Sequence, residues 1–324
     1  MKFKKNLIAI LVASIFLLLP LILFAQVENK AEGVTISPPL FEIEFKPGET
    51  LTQKIKVTNP VGKQIKVFPS AFDFKAKGET GEPLFLAPSL ERRSYSLASW
   101  ISFSKSFLIL EPEEVEDFEY TIKAPQDAEP GGHYGVVFFG TEPPKLEEKD
   151  VNQVAIASMV GSLVLAKVPG QIIEKGNLET FSAPKFSFKS PIEFLVRIAN
   201  IGNIHFKPKG EIRIKNWQGK TIDSVKVNTE EGNVLPDSTR RFTPKWEPKT
   251  SLFSPIGRYK AELKLSYGDS EKELSGELIF WIIPLWFITL LAVLIILAVV
   301  LIWRFMRKKR RSKKSENILD LRKR

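Results

Sequence analysis

Residues 41–57 read FEIEFKPGETLTQKIKV. Phe41, Ile43 and Phe45 alternate with Glu42 and Glu44. After Pro47-Gly48, Leu51, Ile55 and Val57 alternate with Thr52, Lys54 and Lys56. A period of two with one apolar and one charged face is the signature of a strand in an antiparallel sheet, dry on one side and wet on the other. Pro-Gly between two such runs marks the turn. The same alternation returns at Phe118, Tyr120 and Ile122 and at Ala261, Leu263 and Leu265. Turn signals at Asn59-Pro60, Pro112, Pro130-Gly131-Gly132, Gly202-Asn203 and Gln218-Gly219 keep the strands short. Residues 31–280 are therefore expected to be all-β, folded as two tandem Ig-like β-sandwich domains. Their length suits two such units.

A weak internal repeat points the same way. Lys56-Val57-Thr58-Asn59 matches Arg197-Ile198-Ala199-Asn200. Leu110-Glu111-Pro112 resembles Leu235-Pro236, and Gly132-His133-Tyr134 matches Gly257-Arg258-Tyr259. Three landmarks in one order imply two copies of one unit. The expected division is 31–170 and 171–280, with the boundary near Pro169-Gly170. The extra length of the first copy falls in Lys75–Ser99, which lacks clean alternation. It is read either as a binding loop or as a solvated excursion. Thr141–Asp150 is read as a second loop, before a last strand pair around Val151–Val168.

The two chain ends differ from this body. The 324 residues carry a formal charge of +10. Residues 1–25 hold three Lys and no acid, and residues 304–324 hold eleven Lys and Arg against Glu316 and Asp320, which leaves residues 26–303 at −2. A near-neutral body argues against nucleic acid as a partner. Residues 1–25, three Lys followed by an uncharged apolar run, read as a signal peptide or a signal anchor. Leu278–Trp303 carries no charge, and about 20 helical residues cross a bilayer core of about 30 Å. A transmembrane helix is expected over 281–303, followed by a basic cytoplasmic tail over 304–324. The body between them is then extracytoplasmic at the cell membrane.

Little points to chemistry. The chain has no Cys and two His, which excludes disulfides, thiol nucleophiles and a three-His metal site. Ser102-Phe103-Ser104-Lys105 fits S-x-x-K but lies in a strand-like run without the partner motifs. Gly219-Lys220-Thr221 lacks the upstream Gly of a phosphate loop. His133 and His205 have no acid or nucleophile near them in sequence. No catalytic, metal or cofactor-binding residue is assigned, no cofactor is expected, and the ligand-binding residues stay unassigned. Tyr95, Trp100, Tyr134, Trp217 and Trp246 are rings able to stack on a sugar, though core positions suit most of them.

Ile36-Ser37-Pro38-Pro39 with Phe41–Gly48, the run Pro130–Phe139, and Asn200–Phe206 with Pro208 and Gly210 resemble stretches of the WxL-interacting protein family. The order of signal, two Ig-like domains, one membrane helix and basic tail is similar to that family's plan. The resemblance implies a non-enzymatic bacterial cell-envelope protein. Its first domain would bind peptidoglycan and its second a surface protein partner. The competing expectation is a membrane-tethered, pilus-chaperone-like assembly factor that acts by β-strand addition, which requires an open edge in the first domain.

Overall fold

The computed structural model describes residues 33–87, 95–143, 159–248 and 256–321. Residues 1–25, expected as a signal peptide or signal anchor, residues 88–94 of the Lys75–Ser99 stretch and residues 144–158 lie outside them. Among these residues the fold is all-β with one α-helix, at the carboxy-terminal end.

In the first half, β1 (Thr35–Ser37), β3 (Thr50–Thr58), β8 (Val115–Lys123) and β6 (Ile101–Phe103) form one sheet in that order. The facing sheet runs β2 (Leu40–Glu44), β10 (Met159–Val168), β9 (Gly131–Gly140), β4 (Ile65–Lys77), β5 (Glu82–Leu86), with β7 (Leu108–Leu110) also on β4. The alternation sets the inner face. Ile55 and Val57 of β3 and Phe118, Tyr120 and Ile122 of β8 are buried, against Val137 and Phe139 of β9 and Val164 and Ala166 of β10. Each fully buried large side chain contributes roughly 1.5–3 kcal/mol. The chain changes sheets early: β1 pairs antiparallel with β3, and β2 pairs parallel with β10. Pro38 and Pro39 stand between them, where missing N–H groups end one ladder.

The second half repeats this plan. One sheet is β11 (Gly176–Ser182), β14 (Leu195–Asn200), β17 (Ser238–Phe242). The other is β12 (Phe186–Ser187), β20 (Lys272–Ile282), β19 (Gly257–Tyr267), β15 (Lys209–Lys215), β16 (Thr221–Lys226), and β13 (Ile192–Glu193) pairs with β18 (Lys245–Trp246). Here too the early strand β12 is parallel to the last, β20. Phe194, Val196, Ile198, Trp246, Leu263 and Phe280 belong to its separate core.

The repeated Asn has the same task in both halves. Asn59 and Asn200 are 0% and 1% exposed. Asn59 Nδ2 donates to the carbonyls of Lys63, Leu110 and Glu111, and its Oδ1 accepts from the Val61 N–H. Asn200 Nδ2 donates to the carbonyls of Ile204 and Val234, and its Oδ1 accepts from the Gly202 N–H. Each amide pins its own turn to the distant Pro hairpin. The hairpin answers with a backbone bond, Glu113 N–H to Asn59 O and Asp237 N–H to Asn200 O. Glu113 and Asp237 both take positive φ, 61° and 54°.

Two expectations need correction. The helix α1 spans Leu285–Leu321, so it begins four residues after 281 and continues through most of the basic tail. Trp281 and Ile282 instead finish β20, paired with Arg258 and Gly257 of β19. Pro284 has no N–H to donate and stands where the ladder stops and the helix starts. Lys75–Ser99 is also not one loop: Lys75–Lys77 pair with Glu82–Leu84 in the β4–β5 hairpin.

Candidate functional site

The outer face of the β9 sheet is apolar as well. Phe72 and Phe74 of β4, Tyr134, Val136 and Phe138 of β9 and Leu165 of β10 are buried together, covered in part by Phe85, Tyr95 and Leu235. Leu235 comes from the Pro hairpin of the second half. Both faces of β9 are thereby dry, and all ten of its residues are buried.

Polar contacts fix this junction. The Tyr134 hydroxyl accepts the His205 backbone N–H at 3.0 Å and lies 3.2 Å from His205 Nδ1. A hydroxyl donating to Nδ1 requires that nitrogen to be unprotonated. Burial agrees, depressing His205 to about 4. Arg197 clamps the Glu79 carboxylate with two guanidinium nitrogens, Nε at 2.9 Å, and the Arg241 N–H donates to Glu79 O at 2.8 Å. Asn203 Nδ2 donates to Pro130 O at 3.1 Å, and the Gly132 N–H to Asn203 O at 2.8 Å. Lys207 pairs with Glu42 at 2.7 Å and Lys167 with Asp269 at 2.8 Å. Burial pushes Glu42 up, but hydrogen bonds from Lys207 and Asn233 outweigh it and hold the carboxyl below its ordinary value.

Beside this junction lies an incomplete edge. Among the described residues, β2 pairs with β10 only from Leu163 to Lys167, whereas β9 pairs with all of β10, and Ser162 Oγ donates to Pro38 O at 2.8 Å just ahead of β2. Leu163 donates its N–H to Pro39 O at 2.9 Å. Backbone direction alternates along a strand, so the N–H groups of Met159 and Gly161 point the same way, ahead of the start of β2 at Leu40. Two residues further along β10 begins an apolar cavity of about 240 Å³, lined by Leu40, Phe74, Leu163, Leu165, Leu235 and Arg240 among others. A short backbone edge beside an apolar hollow can take an extended polypeptide: ladder bonds give affinity, and the hollow takes a side chain. A larger groove of about 620 Å³ lies between β16 and β17–β18, but its lining is mostly polar and includes Asp223, Lys226 and Glu230. Charged side chains on an edge strand resist strand addition.

The aromatic candidates separate. Tyr134 and Trp246 are buried, and Trp246 donates Nε1–H to Asp223 at 3.0 Å. Trp100 and Tyr95 are half-buried, and Trp217 is 75% exposed at the turn between β15 and β16. The His133 ring nitrogens lie 3.0 and 2.9 Å from the carbonyl oxygens of Ser96 and Glu129, and its ring packs 4.3 Å from that of Trp100. Ser102 Oγ points to Thr121 O at 3.5 Å, while Lys105 pairs with Glu116. The two do not converge. The sequence reading missed the β10 half-edge and the Leu235 plug. The repeated Pro hairpin was the signal closest to the plug.

No protein-family profile and no curated protein matches the sequence. Among solved structures, the chain is similar to the class 5 fimbriae chaperone CfaA, with a TM-score of 0.36 and 15% identity over 78% of this chain and 100% of that one. It is also similar to the YadV chaperone, at 0.34 and 10% over 76% and 99%. The E. coli chaperone DraB gives 0.33 and 10% over 77% and 96%. Superpositions this loose leave function to the chain's own geometry.

Proposed function

We propose that this chain is a membrane-anchored, non-catalytic binding protein of the bacterial envelope that captures an extended segment of a partner polypeptide along the free half of β10. The observation that carries this reading is the outward-facing backbone at Met159 and Gly161, on the strand whose Leu163 and Leu165 line the apolar cavity. Its geometry suits a guest strand running on from β2, antiparallel or parallel to β10. The helix α1 supplies the anchor. Within Leu285–Arg307 an 18-residue window reaches a mean hydropathy of 3.2, and none of that window is buried; the basic residues that follow favour a cytoplasmic end. In this reading the chain is an assembly or docking factor for another envelope protein. The resemblance to WxL-interacting proteins belongs to it too, with a surface protein as the guest.

A photo-crosslinking side chain at Met159, with a second at exposed Ile109 as reference, tests the reading in cells. The expected product is a peptide adduct at 159 that is absent at 109. Peptidoglycan fragments at 159, or equal peptide adducts at both sites, would remove strand capture in favour of wall binding or non-specific contact.

A further inference from the structure

The second half carries an apolar rim at the end nearest α1. Trp281 of β20 is level with Phe186 of β12 on one side and Arg258 of β19 on the other. Ile279 is level with Lys260, and Lys260 with Lys215, the last residue of β15. The turn after Lys215 therefore stands at this same end and carries Trp217. Phe186, Phe188, Trp217, Ile256, Ile279 and Trp281 are all exposed, Phe186 by 56%. Ile222, one residue past the level of Lys215, is exposed as well. Among the described residues of the second half, the other large exposed apolar side chains are Ile173 and Ile201. Both lie toward the first half: Asn203 N–H donates to Ile173 O, and Asn203 also bonds Pro130 O and the Gly132 N–H of the first half. The exposed apolar surface is thus concentrated at one end of the unit.

The chain's connectivity says what covers that end. Hydrogen bonds hold β20 to β12 up to the helix: the Trp281 N–H donates to Lys185 O and the Ile283 N–H to Ser187 O, both at 2.9 Å. Pro284 then accepts from the Phe287 N–H at 3.0 Å, so no slack linker intervenes. The uncharged part of the helix, Leu285–Trp303, is 19 residues. At about 1.5 Å per residue it rises about 28 Å, which barely matches a hydrocarbon core of about 30 Å. The span has no residues to spare, so Leu285 sits at the outer boundary and the end of β20 in the headgroup layer. Arg307, 4.0 Å over the Trp303 ring, marks the opposite boundary. Trp217 lies two strands from β20, about 10 Å sideways at about 4.8 Å per strand.

We propose that this rim is a lipid-contact surface: Phe186, Phe188, Trp217 and Trp281 enter the headgroup layer, and exposed Lys185, Lys189, Lys220 and Arg258 meet lipid phosphates. The unit then stands on the bilayer with a fixed end down rather than swinging on a tether. This inference rests on α1 spanning the membrane, and the experiment separates the two.

The chain has no cysteine, so single nitroxide labels can be placed cleanly. The full chain is reconstituted in phosphatidylcholine vesicles containing phosphatidylglycerol. Four variants are labelled in turn: Phe188→Cys, Trp217→Cys, Ile109→Cys and Leu294→Cys. Accessibility is read with oxygen against a water-soluble nickel chelate. The expected order of oxygen preference is 294, then 188 and 217, then 109 fully aqueous. Labels at 188 and 217 as aqueous as 109, with 294 buried, overturn the lipid-contact surface and leave the anchor standing. A water-accessible 294 overturns the anchor and the surface with it. Because 188 and 217 are exposed in the folded unit, labelling them leaves the core intact.

Discussion

Asn59 and Asn200 do at the residue scale what the sequence repeat only hints at. Each buried amide satisfies carbonyls that its own strand cannot reach, on a hairpin 51 or 34 residues away. Removing Asn200 takes the amide from the Ile204 carbonyl and the acceptor from the Gly202 N–H, and leaves the Val234 carbonyl only the Phe206 N–H, at about 1–3 kcal/mol for each group that stays dry and unpaired. Asn200→Ala should therefore lower stability by about 2–4 kcal/mol in thermal or urea unfolding, whereas Asn216→Ala, in an exposed turn, should change it little. The repeat made both Asn visible, but their partners were illegible because they are distant in sequence. His205 was illegible for the same reason, its partner Tyr134 being 71 residues away. Its depressed value gives a sign. Between pH 6.5 and about 4 the unfolded chain binds a proton that the folded chain refuses, so stability is full above pH 6.5 and falls as the pH drops toward 4. Since His205 is half-buried rather than sealed, about 2 kcal/mol is expected. The difference in stability between pH 7 and pH 4.5 should shrink by that amount in His205→Gln, and an unchanged difference would assign the proton elsewhere.

Among the elements, β3 and β8 could be read directly because one face is dry and the other wet. The strand β9 could not, since Leu235 and the β4–β5 hairpin bury its second face and erase the alternation. The edge strand β5 has four of its five residues half-buried, so it too shows no period of two. Hydropathy could not divide Leu278–Trp303, because Phe280 and Ile282 face the core of a sandwich while the helix from Leu285 onward is exposed yet long and apolar enough to cross a membrane, and both give one uncharged apolar run. The half-open edge of β10 was invisible in sequence, since it depends on where β2 begins. A test belongs to that element. Met159→Pro removes one outward N–H without taking a bond from the β9 ladder. A single ladder bond is worth roughly 0.5–1.5 kcal/mol, so partner occupancy should fall about 2- to 10-fold. Met159→Ala keeps the N–H and should retain most of it. Equal losses in both would show that the side chain, not the backbone edge, binds.

At the scale of the whole molecule, the two sandwiches are joined by an apolar plug and a ring of partly exposed ion pairs. These should differ in weight. Glu79 and Arg197 are about a third exposed, and such pairs contribute about 0–1 kcal/mol. Leu235 fills an apolar surface, and cutting it to Ala removes roughly 1–2 kcal/mol of burial. Glu79→Gln should leave a single unfolding transition, and Leu235→Ala should begin to separate the two halves in calorimetry. A rigid junction matters to the proposals because the β10 edge lies in the first half, the rim in the second, and the cavity is lined from both, so guest capture and the proposed lipid contact need one fixed arrangement of the two. The two-sandwich plan was legible from alternation, turns and the repeat. The junction was not, because its residues come from distant parts of the chain.

The most direct measurement is the structure of the full chain crosslinked through position 159 to its captured partner. The expected result is a partner segment in extended conformation, hydrogen-bonded to the backbone of Met159 and Gly161 with one side chain in the cavity near Leu40 and Leu235. A partner segment that is helical, or that touches the site through side chains while those two N–H groups face water, would contradict strand capture.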